Sequence, residues 1–177
     1  MKFKLMFLVL TLLLMGCNTA RVAVDYDTDA NFESYQTYAF YKPSVDKMEI
    51  NDLDKKRILY AIDDNLRAKG MTKSKKSTLL IQVFTKEEKQ LDIFQNNLNW
   101  NWGWSPWFNG GFFGPSIYTR TEGQLYINLV DAQSNQLIWQ GKGIARLYPR
   151  DNVEKKVARI QKIVNEILDN YPPSYDQ

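Results

Sequence analysis

The feature that most constrains the fold is an apolar stripe close to the C-terminus. Apolar side chains recur there every three or four residues, which is the spacing of one face of an α-helix. The stripe consists of Val153, Val157, Ile160, Val164, Ile167 and Tyr171. Asp151 and Glu154 resemble a capping box at its start, and Pro172 and Pro173 end it. A helix with one apolar face needs a second layer to cover that face, so the pattern predicts a layered domain.

The stretch before this helix predicts a β-hairpin. Strands over roughly 117–131 and 136–148 flank the turn sequence "DAQSN", in which Asn135 tolerates a left-handed backbone. One face of the second strand carries mainly small side chains: Trp139, Gly141, Gly143, Ala145 and Leu147. Small residues on a strand allow a helix to lie close to the sheet.

Alternating patterns predict three more strands, in "RVAVDYD", "SYQTYAFYKP" and "STLLIQVFTKEEK". In the third, Leu79, Ile81 and Val83 are expected to face the core. A helix from Leu53 to Lys69 lies between the second and third strands, with Asn51 and Asp52 as cap residues and Gly70 as its stop. The order ββαβ–loop–ββα predicts an α+β fold: a two-layer sandwich with a largely antiparallel five-stranded sheet and two helices on one face.

Residues 90–116 are expected to form a long irregular insertion rich in aromatic residues and glycine. Its part "WNWGWSPWFNGGFFGPS", residues 100–116, holds four of the five tryptophans and four of the nine glycines of the chain. The aromatic candidates for binding a ligand or partner are Trp100, Trp102, Trp104, Trp107, Phe108, Phe112 and Phe113.

Composition excludes several classes of function. The 177 residues suit one domain, and the formal charge of +3 falls to +1 once Lys2 and Lys4 of the N-terminal segment are set aside. A nucleic-acid-binding protein would need a basic stripe, so no nucleic-acid partner is expected. The absence of histidine and the single cysteine exclude Ser-His-Asp and Cys-His catalysis and Cys/His zinc sites. No metal or cofactor is expected.

The N-terminal segment has the layout of a secretory signal. Two lysines precede an apolar run from Leu5 to Met15 that is too short to span a bilayer comfortably. The sequence "LMGC" at residues 14–17 resembles the bacterial lipobox, in which cleavage leaves the cysteine as a lipidated first residue. Residues 1–16 are therefore predicted to be a lipoprotein signal peptide and Cys17 the lipidation site. A plain signal peptide or a short anchor helix is the alternative interpretation.

The residues after Cys17 indicate in which membrane, and on which face of it, the protein is expected to lie. Asn18 follows the cysteine, where enterobacterial lipoproteins kept at the inner membrane have aspartate, so the resemblance favours the outer membrane. The stretch "NTARVAV" has no acidic residue, which favours the periplasmic face over the cell surface. Residues 17–21 form the lipidated cysteine and a short tether. About four residues separate Cys17 from the first strand, which is a reach of about 14 Å at 3.3–3.6 Å per residue, so the domain is expected to stay close to the membrane.

Three stretches resemble one known family. They are "VAVDYDTDANFESYQTYAF", "EGQLYINLVDAQSNQLIWQGKG" and "IVNEILDNYPP". Together they are similar to the bacterial lipoprotein family with domain of unknown function 4136, over roughly Arg21 to Pro173. The resemblance implies a single domain over residues 22–173, followed by a tail at 174–177. It implies no reaction, substrate or catalytic residue.

The aromatic insertion allows three interpretations: binding a glycan or an envelope protein, contact with lipid, or cover for the sheet face that lacks helices. The leading hypothesis is a non-enzymatic, lipid-anchored envelope protein with a binding or assembly role. The alternative is an envelope enzyme that acts on cell-wall or glycan material through carboxylates. Its candidate carboxylates are Glu87, Glu88, Glu122 and Asp131.

Overall fold

The computed structural model describes residues 21–94, 116–146 and 152–173. The described strands are β1 (Arg21–Tyr26), β2 (Thr37–Phe40), β3 (Thr72–Lys73), β4 (Leu79–Phe94), β5 (Ser116–Asp131) and β6 (Leu137–Arg146). The described helices are α1 (Lys42–Asp46), α2 (Asp52–Ala68) and α3 (Val153–Leu168), and a short 3-10 turn lies at Phe32–Ser34. The predicted α+β class is confirmed.

The strands form one sheet of six, in the order β1-β6-β5-β4-β2-β3. Three of the five strand pairings are antiparallel, so the sheet is largely antiparallel as expected, but it has six strands instead of five and the described residues form three helices instead of two. The additional strand is β3. It has two residues, which are too few to show an alternating pattern. In addition, β2 runs parallel to both β3 and β4. Helix α2 lies between β2 and β4 in the chain. A helical connection of this kind brings the chain back to the same end of the sheet, so that β4 runs in the same direction as β2.

The helix ends follow the predicted cap chemistry with one correction. The side chain of Asn51 accepts a hydrogen bond from the backbone N–H of Asp54 at 2.9 Å, and Gly70 after α2 has φ of 84°. Helix α3 begins one residue later than a capping box on Asp151 implies. Its cap is Asn152, which accepts from the backbone N–H of Lys155 at 2.9 Å.

The core lies between α3, α2 and one face of the sheet. Leu79, Ile81 and Val83 are completely buried there, as predicted. The glycines of β6 allow α3 to lie close to the sheet, because a Cβ atom on Gly143 would be 2.6 Å from Cδ1 of Ile163. The interpretation of the small residues on β6 is therefore confirmed.

The turn between β5 and β6 is built around Asp131 and Asn135. Asn135 has φ of 58°, in the left-handed region that the sequence predicted for it. Its backbone N–H donates to the carbonyl oxygen of Asp131 at 2.9 Å. The carboxylate of Asp131 accepts from the backbone N–H groups of Gln133 and Ser134, at 2.7 Å each.

Strands β4 and β5 continue well beyond the other strands. Their pairing runs from Leu79 opposite Asp131 to Phe94 opposite Ser116. The pairing of β5 with β6 ends where Glu122 lies opposite Arg146. Beyond that point, residues 89–94 and 116–121 pair only with each other within the described chain, and we call them the ribbon. The irregular insertion predicted from residue 90 therefore begins no earlier than residue 95.

Candidate functional site

The predicted site residues lie outside the described residues. They are Cys17, Trp100, Trp102, Trp104, Trp107, Phe108, Phe112 and Phe113. The described structure fixes where the segments that contain them join the domain. Residue 95 follows the last residue of β4 and residue 115 precedes the first residue of β5, so segment 95–115 starts and finishes at the tip of the ribbon.

The chain enters the sheet and the ribbon leaves it at the same end. Arg21, the first residue of β1, lies opposite Ile144 of β6, and Glu122 of β5 lies opposite Arg146 two residues further along. We call this end, marked by Arg21, Glu122 and Arg146, the ribbon end. The ribbon extends beyond it by six register pairs, which is about 20 Å at roughly 3.3 Å per residue.

An ion pair joins β1 to the root of the ribbon. Nη2 of Arg21 donates to both carboxylate oxygens of Glu122, at 3.0 Å each. The carboxylate side chain is only 7% exposed, while the guanidinium side chain is 68% exposed. A carboxylate this well buried requires such partners, because removing a charge from water without compensation is costly.

The sheet face away from the helices carries a connected set of polar side chains. Gln124 donates to Glu88 at 2.7 Å and accepts from the hydroxyl of Tyr126 at 2.9 Å. Nζ of Lys142 lies 5.2 Å from the centre of the Tyr126 ring. A polar face of this kind needs less apolar cover than the sequence analysis assumed. The signal was present in the strand "EGQLYINLVD", where polar or aromatic side chains alternate with Leu125, Ile127 and Leu129.

Two of the four candidate carboxylates lie together. Glu88 and Glu122 are opposite each other on β4 and β5, whereas Glu87 is exposed and its side chain belongs to the other face. Asp131 lies nine residues from Glu122 along β5, which is about 30 Å. Both members of the pair have partners: Glu122 accepts from Arg21 and Glu88 accepts from Gln124.

Asp131 is held as a structural anion. The backbone N–H of Ser134 and the hydroxyl of Tyr35, 2.8 Å away, hold the pKa of this carboxyl below its usual range. Burial and the hydrogen bond to Asp131 raise the pKa of Tyr35 to about 12. A general acid near neutral pH needs a raised carboxyl pKa, so the shift at Asp131 runs against that role.

A buried polar cluster that the sequence did not predict lies on the helix side of the sheet. The hydroxyl of Tyr38, on β2, donates to Oδ1 of Asp63, on α2, at 2.9 Å. Asp63 also pairs with Arg67 at 3.0 Å and with Lys73 of β3 at 3.3 Å. Burial and the bond to Asp63 raise the pKa of Tyr38 to about 12. The cluster connects β2, α2 and β3. Asp63 and Arg67 have the i,i+4 spacing of a helical ion pair, but no spacing rule in the sequence joins Tyr38 or Lys73 to them.

The described residues contain no group of three or more Asp, Glu, Cys or His side chains placed to hold a metal ion. None of the described helices is both long enough and apolar enough to cross a membrane.

A family model described as "Domain of unknown function (DUF4136)" matches residues 22–173. The chain belongs to the DUF4136 family. No curated protein matches this DUF4136 chain.

Solved structures resemble the DUF4136 chain at low sequence identity. One is a PDZ domain protein from Parabacteroides distasonis, with a TM-score of 0.53 and 17% identity over 89% of this chain. The match covers 37% of that protein's length. Another is the PelC dodecamer from Paraburkholderia phytofirmans, with a TM-score of 0.48, 12% identity, and coverage of 85% of this chain and 95% of that one. The first of these likenesses supports the fold alone.

Proposed function

We propose that this DUF4136 protein is a lipid-anchored protein of the bacterial cell envelope with a binding or assembly role and no catalytic activity. Acyl chains on Cys17 hold it at the periplasmic face of the outer membrane. The observation that carries the proposal is the shared position of two chain segments. The four-residue connection from Cys17 enters the sheet at the ribbon end, and the ribbon projects from that same end.

The binding element in this proposal is the aromatic segment at the ribbon tip. Indole rings suit stacking on sugar rings and are over-represented at protein interfaces. The ribbon holds both ends of the segment about 20 Å beyond the sheet, at 3.3 Å per residue. This distance, together with the polar character of the sheet face away from the helices, supports binding outside the domain over cover for the chain's own sheet.

The alternative is a carboxylate-dependent envelope enzyme, and the pairing of Glu88 with Glu122 across β4 and β5 is the observation that favours it. Most glycoside hydrolases use a pair of Asp or Glu carboxyl groups for catalysis. The ion pair from Arg21 and the burial of Glu122, which is 5% exposed, weigh against it. A substrate would have to displace Arg21 to reach that carboxylate.

Fractionation of Cys17→Ala cells tests the anchor. Each buried methylene adds roughly 0.8 kcal/mol to membrane attachment, so loss of all acyl chains should release the protein into the soluble fraction. A variant that still sediments with membranes would show that Cys17 is not the anchor.

Binding is tested with purified protein, isolated peptidoglycan sacculi and crosslinked envelopes. Replacement of Trp100, Trp102, Trp104 and Trp107 by alanine should abolish co-sedimentation with sacculi or the crosslinked partner. Tyr60→Ala is the control, because Tyr60 is 67% exposed on α2 and lies outside the aromatic segment. Equal binding by both variants would show that the aromatic segment is not the binding element. Loss of a defined turnover in Glu88→Gln or Glu122→Gln would favour the enzyme instead.

A further inference from the structure

Strand β1 lies at the edge of the sheet, and β6 is its only neighbour among the described strands. The backbone N–H of Asp27 donates to the carbonyl oxygen of Ile138 at 2.9 Å, in the register of the β1–β6 pair. Hydrogen-bonded positions alternate along an antiparallel strand, so the odd-numbered residues of β1 bond to β6. The backbone N–H and C=O groups of Val22 and Val24 therefore point outward, away from the sheet.

These outward groups form an open stretch of the edge. No described strand or turn bonds to Val22 or Val24 from the outer side. The next outward N–H, that of Tyr26, donates to Oδ1 of Asp25 at 2.9 Å. The open stretch therefore ends at Asp25. Unpaired backbone groups along an edge strand are a template for pairing with another strand.

The other edges within the described sheet have features that block such pairing. Strand β3, at the opposite edge, has only two residues. Strand β4 has no second neighbour beyond Val83 in the described chain, but Lys86, Glu87 and Glu88 follow there. Short strands and charged side chains are the usual protection of an edge. Strand β1 has neither charge, proline nor glycine between Arg21 and Asp25.

The sequence "RVAVD" of residues 21–25 is complementary to itself when two copies run antiparallel. With Ala23 opposite Ala23 of a second copy, Val22 lies opposite Val24, and Arg21 lies opposite Asp25. A two-fold axis makes each of these contacts twice. We propose that two copies of this chain pair through β1 in this register and join their sheets into one. The contact is an antiparallel strand addition in which each copy serves as the other's partner.

The register satisfies the open backbone groups. Val22 and Val24 of the second copy exchange both of their backbone hydrogen bonds, so the two-fold axis gives four bonds. The valine side chains share the helix side of the sheet, since Val22 and Val24 lie opposite Gly143 and Gly141. Val24 is 39% exposed in one copy and gains an apolar neighbour in the pair.

The charges on the open face also fit this register. Arg21 is 68% exposed, and its bond to Glu122 uses Nη2. The guanidinium group has further N–H donors for the carboxylate of Asp25 in the second copy. Behind Ala23, Nζ of Lys142 lies over the ring of Tyr126 on β5, on the side of β6 away from β1.

The paired segment is short, so the dimer is expected to be weak in dilute solution. Five residues of each copy meet, whereas stable interfaces involve about 20–30 residues a side. Asp27 and Asp29 follow the strand and lie beyond the paired residues. The inference does not depend on the proposed anchor at Cys17.

A cysteine on the two-fold axis tests the register. Opposed residues in a non-hydrogen-bonded pair have Cα atoms about 4.5 Å apart, which is within the range of a disulfide. We expect full-length Ala23→Cys protein in detergent to form a disulfide-linked dimer on mild oxidation. Thr28→Cys is the control, because Thr28 is exposed and would lie about 33 Å from its copy, at 3.3 Å per residue over ten residues. Mass spectrometry of the linked peptides separates a bond at position 23 from one that involves Cys17.

A charge change tests the ion pairs of the same register. Asp25→Lys, added to the Ala23→Cys chain, places lysine opposite Arg21 at both ends, and the linked fraction should fall about tenfold. Asp27→Lys is the matched control, since it makes the same charge change outside the paired residues. Equal loss in both chains would overturn the inference. So would Ala23→Cys protein that is linked no more than Thr28→Cys protein.

Amide hydrogen exchange of the unmodified protein provides a check that needs no substitution. The N–H groups of Val22 and Val24 should exchange more slowly as the protein concentration rises, because only the dimer gives them acceptors. The N–H of Tyr26 already has an acceptor in Asp25 and should change little. Exchange at Val22 and Val24 that is independent of concentration up to the millimolar range would overturn the inference.

Discussion

Nη2 of Arg21 lies 3.0 Å from both carboxylate oxygens of Glu122, 101 positions away in the sequence. The contact reaches across β6, from the edge strand to the root of the ribbon, and one of its two side chains is buried. Partly buried charge-assisted hydrogen bonds contribute more to stability than exposed ion pairs do. The pair therefore stabilises the edge strand that follows the tether.

Arg21→Met is expected to lower the free energy of unfolding by about 1 kcal/mol, because Glu122 loses a charged donor in a partly desolvated site. Lys42→Met is the control. Lys42 pairs with Asp46 at 2.6 Å, but the two side chains are 83% and 58% exposed, so its loss should have almost no effect. Urea unfolding of both variants measures the difference. Equal effects would show that the burial of Glu122 adds nothing.

Gly141→Ala is expected to destabilise the protein more than Gly143→Ala. A Cβ atom on Gly141 would lie 2.5 Å from Cη2 of the rigid Trp139 ring, whereas on Gly143 it would first meet Cδ1 of Ile163, the free end of a side chain. Overpacking in a core costs about 1–3 kcal/mol when neighbours cannot move. Urea midpoints of the two variants give the comparison. The reverse order would contradict the position of the Trp139 ring against Gly141.

The stability of the protein is expected to fall as the pH rises from 10 to 12. The pKa of Tyr38 is raised from 10.0 to about 12 in the folded state, because the phenol is buried against Asp63. Unfolding frees it to ionise at the lower value, so the unfolded state gains stability across this interval. Tyr38→Phe should weaken this pH dependence, measured by urea unfolding at each pH.

The same variant should lose about 1–3 kcal/mol at neutral pH, since Asp63 stays buried without its hydroxyl donor. Tyr60→Phe is the control, because Tyr60 is exposed on α2. An alkaline profile that is identical in Tyr38→Phe and the unmodified protein would show that Tyr38 does not account for the loss.

Asn135→Ala is expected to cost about 1–2 kcal/mol, because an alanine side chain is disfavoured at the left-handed φ of 58°. Asn135→Gly should match or exceed the stability of the unmodified protein, since glycine adopts this conformation freely. Thermal unfolding of the two variants tests the expectation. A stable alanine variant would indicate that the turn changes its conformation.

The sequence predicted those parts of the fold that depend on periodic patterns or single-residue conformations. The α3 stripe, the buried side of β4, the small residues of β6 and the left-handed Asn135 all belong to this group. Strand β3 was missed because its two residues carry no period. The parallel pairing of β2 with β4 was missed although the crossover helix α2 implied it.

Long-range polar contacts could not be predicted from the sequence. The partners Arg21 and Glu122, or Tyr38 and Asp63, are paired only by the folded sheet, and neither pair matches a local motif. The extent of β4 was underestimated because the alternation in "KQLDIF" is short and covers only Gln90 to Ile93. The aromatic candidates rest on the composition of their segment and on the alternation of Trp100, Trp102 and Trp104, and the structure adds only the position from which the segment starts.

The ribbon is a part of this protein whose length can change independently of the sheet. Within the described chain its register pairs contact no other strand, so a pair can be added or removed without disturbing the sheet behind it. Each pair that is added or removed changes the length of the ribbon by about 3.3 Å. Matched insertions or deletions in the two strands would therefore change the distance from the domain body to the tip and leave the contacts of the core as they are.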